Sequence, residues 1–267
     1  MFSTARRVKD AWVQKRMEHA AARRAVKARR AFNALRRVNA VPLYQPVPWL
    51  NCPDSHRSDA TLQRWQAIER ELAGLGQPGA AMDLGAQLGY FSLRMGEAGW
   101  LCLAVEASPV PHEMSRLIQQ AAAIPNVAHR RMQLDAESVH RLPRVDVVLF
   151  LSLWHHLCRV EGFDKAKHIL REVLRRTGKV CFFETGQSDE THMAWARTLP
   201  AMEPDPRTWL ARLLIECGAR HVCELGQFEA FRGPAKRHLL AAYTQPSTAE
   251  VSPVVMSAGA EAGADQA

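Results

Sequence analysis

The chain has 267 residues, 35 Lys and Arg against 27 Asp and Glu, and a formal charge of +8 with histidines neutral. With 47% apolar and 7% aromatic side chains it is composed like a globular protein, which excludes collagen-like, wholly disordered and disulfide-scaffold chains. Its longest apolar run, residues 147–151, is far short of the ~20 residues that a membrane-spanning helix needs.

The charge is concentrated at the start of the chain. Residues 1–39 hold twelve Lys and Arg against Asp10 and Glu18, a net of +10, so the rest is close to neutral. This arm is rich in Ala and Arg and has no Gly or Pro, which predicts a long helix. At 100° per residue Val8, Trp12 and Val26 fall on one side while Met17 and Leu35 fall opposite, a poor apolar stripe. The pattern therefore suits electrostatic attraction to an anionic partner, RNA or a membrane surface; a solvated helix with no partner is the plain alternative. The N-terminus lacks the apolar core of a secretory signal, and six scattered cysteines without CxxC spacing point to a reducing compartment. A cytoplasmic location is the expectation, with attachment at a membrane surface and, from the Arg-rich start, mitochondrial targeting as alternatives.

Residues 40–58 contain four prolines and read as an extended connector. Ser58 and Asp59 then open a helix with Leu62, Trp65, Ile68 and Leu72 at helical spacing, ended by Gly74 and Gly76. Connector and helix make up a unit over 40–77. The main domain is expected over 78–245, with buried strands at 80–84, 101–106, 127–132, 145–151, 179–184, 221–225 and 238–243. Helices are expected near 91–98, 112–123, 165–176, 190–198 and 206–217. This alternation predicts an α/β, Rossmann-like, doubly wound sheet of seven strands, mainly parallel. The short link between the last two strands makes one of them antiparallel. Residues 246–267, rich in Ala, Gly and Ser with acids and no bases, read as a disordered tail.

The sharpest motif is Asp83-Leu84-Gly85-Ala86-Gln87-Leu88-Gly89-Tyr90-Phe91-Ser92. A strand ends in an acid, Gly85 lets the backbone turn, and Gly89 opens a helix without a side chain blocking the crevice. Glu106 ends the second strand, where an acid can accept hydrogen bonds from both hydroxyls of a ribose. A nucleoside ligand follows. Gln87 stands where a dinucleotide site has its middle glycine, and Asp83 repels a pyrophosphate but attracts an ammonium. A cationic, amino-acid-bearing nucleoside fits better than NAD.

With these residues in view, the segment from Asp83 to Ser92, with Glu106 and the following strands, resembles the class I S-adenosylmethionine-dependent methyltransferases. The DLGxxLGYFS form is similar to bacterial surface-polysaccharide and tRNA-modifying members, and the resemblance covers about residues 58–245. It implies that Asp83, Gly85, Gln87 and Gly89 hold the methionine end of S-adenosyl-L-methionine. It also implies that Glu106 takes the ribose, Asp135 the adenine side, and Leu151 at the tip of the fourth strand the region of the transferred methyl group.

The fourth strand runs into Ser152-Leu153-Trp154-His155-His156. A histidine there has a pKa suited to removing a proton from an acceptor hydroxyl, so His155 and His156 are the candidate catalytic residues, with helix packing as the plain reading of each. Trp154 reads as packing, Asp146 as a partner of local backbone groups, Glu184 and Gln187 as helix caps before acceptor contacts, and Arg237 as surface charge. The expected activity is O-methylation of a glycan, lipid-linked or small-molecule acceptor. An RNA methyltransferase using the arm and a non-catalytic scaffold that binds the cofactor are the alternatives.

Overall fold

The computed structural model describes residues 2–37, 45–50, 58–230, 235–245 and 256–257; the remaining parts of the connector (38–44 and 51–57) and of the tail lie outside the described residues. Strands β1 (Ala80–Leu84), β2 (Leu101–Glu106), β3 (Val127–Arg131), β4 (Val145–Leu151), β5 (Thr177–Glu184), β6 (His221–Glu229) and β7 (Lys236–Tyr243) form one sheet in the order β3-β2-β1-β4-β5-β7-β6. The first five are mutually parallel, and β7 runs antiparallel to both β5 and β6. This is the expected doubly wound sheet. Central strands such as Val-Asp-Val-Val-Leu-Phe-Leu are nearly unbroken apolar runs because helices cover both of their faces.

Successive residues along each strand point to opposite faces. Met82, Leu84, Val148, Phe150, Cys181 and Phe183 face α5 (Trp154–Glu161), α6 (Phe163–Arg176) and α7 (Pro206–Glu216). Ala81, Ala104, Val147, Leu149, Val180 and Phe182 face α1 (Phe2–Arg37), α2 (Ser58–Gly74), α3 (Tyr90–Glu97) and α4 (Pro109–Ala122).

Several elements depart from the sequence reading. Helix α5 is not among the helices expected from sequence. The helix expected near 190–198 is reduced to a 3-10 turn, Ala194–Thr198, because the Glu190 carboxylate is drawn into a bidentate pair with Arg237 (2.8 and 2.9 Å). Met256–Ser257, inside the segment read as disordered, form a two-residue strand β8 antiparallel to β6. The long α1 is present, but its root is not detached: Ala28 and Phe32 are buried against α4, Ala31 and Leu35 are partly buried, and Arg29 Nε donates to Leu50 O (2.9 Å). Among the described residues no helix is long and apolar enough to cross a membrane.

Candidate functional site

The turn after β1 is held by the second strand. The N–H groups of Gly85 and Ala86 both donate to Val105 O (2.9 and 3.0 Å). Gly85 and Gly89 have φ of 76° and 81°, the left-handed region that glycine enters without penalty. Gln87, at the middle position, also has a positive φ of 52°. A non-glycine residue there is costly, and Gln87 is kept in place by its N–H donating to Glu106 Oε2 (2.9 Å). A Cβ at Gly89 would overlap the Ser115 hydroxyl on α4, so glycine is required there for space as well as conformation.

Asp83 is buried and accepts the Ser92 hydroxyl (2.6 Å). Burial pushes its carboxyl up to about 6, against the hydrogen bonds from Ser92, which pull it down. Glu106 stays at the rim, Oε1 accepting Ser108 N–H (2.7 Å) and Oε2 accepting Gln87 N–H; each oxygen keeps a lone pair for a ligand.

Six of the residues singled out from sequence, Asp83, Gly85, Gln87, Glu106, Leu151 and His156, line one cavity of about 400 Å³. A second cavity of about 150 Å³ shares Gly85, Glu106 and His156 with it and is walled by Met132, Gln133, Leu134 and Leu157. Gly89 and Asp135 line neither. Asp135 closes the loop after β3: its Oδ1 accepts the N–H groups of Glu137 (3.0 Å) and Ser138 (2.7 Å), which hold the carboxyl below its usual range.

The two neighbouring histidine rings lie against each other, 4.1 Å between centroids, but only His156 lines the cavities. His155 points into the core, its ring against Trp195 at 4.5 Å between centroids. Its Nδ1 accepts Gly186 N–H (3.0 Å), so the neutral ring carries its proton on Nε2. Burial keeps its pKa well below the ordinary value. His156 lines both cavities and has no hydrogen-bond partner for its ring among the described residues. Partial burial first, then Arg237 and Arg159, lower its pKa from the ordinary value, which favours the neutral ring.

The far wall is a chain of buried polar groups. Arg64 of α2 pairs through Nε with Glu184 at the tip of β5 and donates from Nη2 to Glu229 O (2.8 Å). Ser152, at φ 55°, donates its hydroxyl to Glu184 Oε1 (2.9 Å) and accepts from Arg237 Nη1 (3.3 Å). Glu184 is therefore a cavity-wall residue and not a helix cap, and Arg237 is buried (4% exposed side chain) and not surface charge. Trp154 is packed in the core with Nε1 donating to Ala166 O (3.1 Å), and Asp146 Oδ2 accepts Ala80 N–H (3.0 Å), both as read from sequence.

Sequence reasoning missed Gln45, Thr61 and Ser152. Gln45, inside the proline-rich connector, accepts Tyr90 N–H at the start of α3 (3.0 Å) and roofs the cavity with Thr61 and Arg64. No local signal marks such a residue, since its partner lies 45 positions away.

No protein-family model and no curated protein matches the chain. Solved structures do. WbdD, described as a bifunctional kinase-methyltransferase, matches with TM-score 0.63 and 21% identity over 79% of this chain and 46% of its own, so this chain spans about half of that protein's length. Magnesium protoporphyrin IX methyltransferase (ChlM) from Synechocystis PCC 6803 with bound SAH matches with TM-score 0.51 and 14% identity, over 70% of this chain and 83% of that one. The N-terminal domain of EvdMO1, in the presence of SAH and D-fucose, matches with TM-score 0.51 and 17% identity, over 72% and 86%. At these identities the likeness is one of architecture: the chain shares the Rossmann-like fold of these methyltransferase structures.

Proposed function

We propose that this chain is an S-adenosylmethionine-dependent methyltransferase that methylates a hydroxyl of a glycan, a lipid-linked sugar or another small molecule, with His156 taking the acceptor's proton. One observation carries the reading: a single cavity gathers a buried acid at the tip of β1, an acid at the tip of β2 and, at the start of α5, an imidazole that makes no hydrogen bond among the described residues. The residues present fit the cofactor. Asp83 is an acceptor whose burial cost falls when a cation sits beside it, as the ammonium of the methionine end would. Glu106 has a free lone pair on each oxygen for the ribose hydroxyls, and the small cavity walled by Met132, Leu134 and Leu157 has a mainly apolar lining that suits adenine. Asp135 supports that wall by holding its loop.

The bound cofactor supplies an electrophilic methyl group on a sulfonium. The chain's own part is orientation and proton removal. His156, whose neutral form its surroundings favour, accepts the proton, while His155 beside it is fixed through Nδ1 and supports the turn at Gly186. The structure of EvdMO1 in the presence of D-fucose supports a sugar acceptor; ChlM, whose name gives a porphyrin acceptor, shows that the fold alone does not choose.

Calorimetry with S-adenosylhomocysteine and with NAD tests the cofactor: micromolar binding of the former and none of the latter is expected, and the reverse sinks the proposal. Transfer of labelled methyl groups from S-adenosylmethionine into fractionated glycans, lipids, metabolites and RNA then identifies the acceptor. On that acceptor, His156→Ala is expected to lower kcat by about 10²–10³-fold, within the range for a lost general base, and to change S-adenosylhomocysteine affinity little.

A further inference from the structure

The twelve cations of α1 are ordered. Lys9, Arg16, Arg23, Arg30 and Arg37 recur at every seventh residue, and all five side chains are exposed. Seven residues turn a helix through about 700°, so these five drift by about 20° per step, about 80° from first to last, and form one slowly winding row about 42 Å long on one side of the helix. Exposed Trp12 and Val26 flank the row, and the Arg16 guanidinium lies over the Trp12 ring at 4.6 Å from its centroid. Asp10 and Glu18 fall on other sides of the helix, and among the described residues no cation of α1 is in an ion pair. The row also has a fixed relation to the body. Ala28 and Phe32, which bury the root of α1 against the domain, point roughly 160° away from it. The body thus grips one side of the helix, and the opposite side presents the row of cations.

We propose that this row docks the protein on an anionic lipid surface, with α1 lying flat and the catalytic body held above it. A row of cations that stays on one side of the helix over about 42 Å matches a plane. A nucleic-acid duplex curves away from such a rod after about one groove width, roughly 12 Å. Trp12 and Val26 beside the row belong at a headgroup boundary, where an aromatic ring and long basic stems are both accommodated. The helix lacks a wide apolar stripe, so it adsorbs by charge and does not insert, and its attachment is released by salt. The proposal is independent of which acceptor the active site methylates.

Flotation of the full chain with vesicles tests it. At 0.1 M salt the protein is expected to partition onto vesicles of 70% phosphatidylcholine and 30% phosphatidylglycerol and not onto pure phosphatidylcholine. Quadruple substitution along the row (Lys9→Gln, Arg16→Gln, Arg23→Gln, Arg30→Gln) is expected to lower partitioning about 100-fold or more, since each cation at an anionic leaflet is worth about fivefold. An equal loss of charge off the row (Arg6→Gln, Arg7→Gln, Lys15→Gln, Arg24→Gln) is expected to cost less than tenfold. Both variants keep the parent's thermal midpoint, because the substituted side chains are exposed. Equal losses in the two variants, equal binding to neutral vesicles, or tighter binding to a 30-nucleotide RNA than to the anionic vesicles at the same salt each overturn the proposal.

Discussion

Asp83 is the residue on which the site's chemistry and the fold's stability pull in opposite directions. Its carboxyl ordinarily titrates near 3.8 and burial carries it to about 6. The folded state therefore binds a proton that the unfolded state has released between these values, so stability falls as pH rises from about 4 to 6 and stays lower above. About two units correspond to roughly 3 kcal/mol, an upper bound for this group. Asp83→Asn keeps an acceptor for the Ser92 hydroxyl and removes the buried charge. The variant is expected to gain about 1–3 kcal/mol at pH 8 and nothing at pH 4, while S-adenosylhomocysteine affinity drops at least tenfold. Thermal scans at the two pH values together with calorimetry check both halves; lower stability at pH 8 contradicts the account. In the parent, affinity for the same ligand is expected to rise as pH passes through about 6, because only the ionised acid attracts the ammonium. Asp83 and Glu106 were legible because each is the one acid ending an apolar strand. His155 and His156 were indistinguishable in sequence, since the start of α5 that turns one inward and the other to the cavity was not foreseen.

Among the elements, the parallel strands were the most legible: β1, β2 and β4 begin and end where their apolar runs do. Residues 190–198 were the least, because two long-range pairings, Glu190 with Arg237 and Met202 N–H with Ser188 Oγ (3.1 Å), shape that segment from outside. The contact of α3 with α4 at Gly89 offers a test at this scale. Ser115 Oγ is buried without a hydrogen-bond partner among the described residues, directly where a Cβ on Gly89 would go. Gly89→Ala is expected to cost about 2–4 kcal/mol, combining left-handed strain with overpacking. Ser115→Ala alone is expected to be close to neutral, and in combination it should return about 1–2 kcal/mol of that loss, leaving the strain. Denaturant unfolding of the four proteins measures the coupling; strict additivity would show that the two residues do not compete for space.

For the whole molecule, the formal charge of +8 divides into +10 on residues 1–39, +1 on 40–245 and −3 on the tail. The sequence made the arm visible but not its attachment, since Phe32 and Leu35 are only a few apolar residues in a polar helix and their partner α4 lies far along the chain. Phe32→Ala removes the largest buried side chain of the root and is expected to cost about 3–5 kcal/mol of docking. Limited trypsin digestion should then cut α1 near Arg36 and Arg37 many times faster than in the parent, with the body left intact. Unchanged protection of those sites would mean that Phe32 does not hold the arm.

That the root of α1 rests on α4 also sets an order of events during synthesis. The residues that receive Phe32 are made about 80 positions after it, on the order of 4–16 s later at ordinary elongation rates. Through that interval the newly made helix has its apolar root uncovered and its cations unmatched beside the ribosome, itself an RNA-rich particle. The arm meets its first polyanionic surface before its own body exists to hold it.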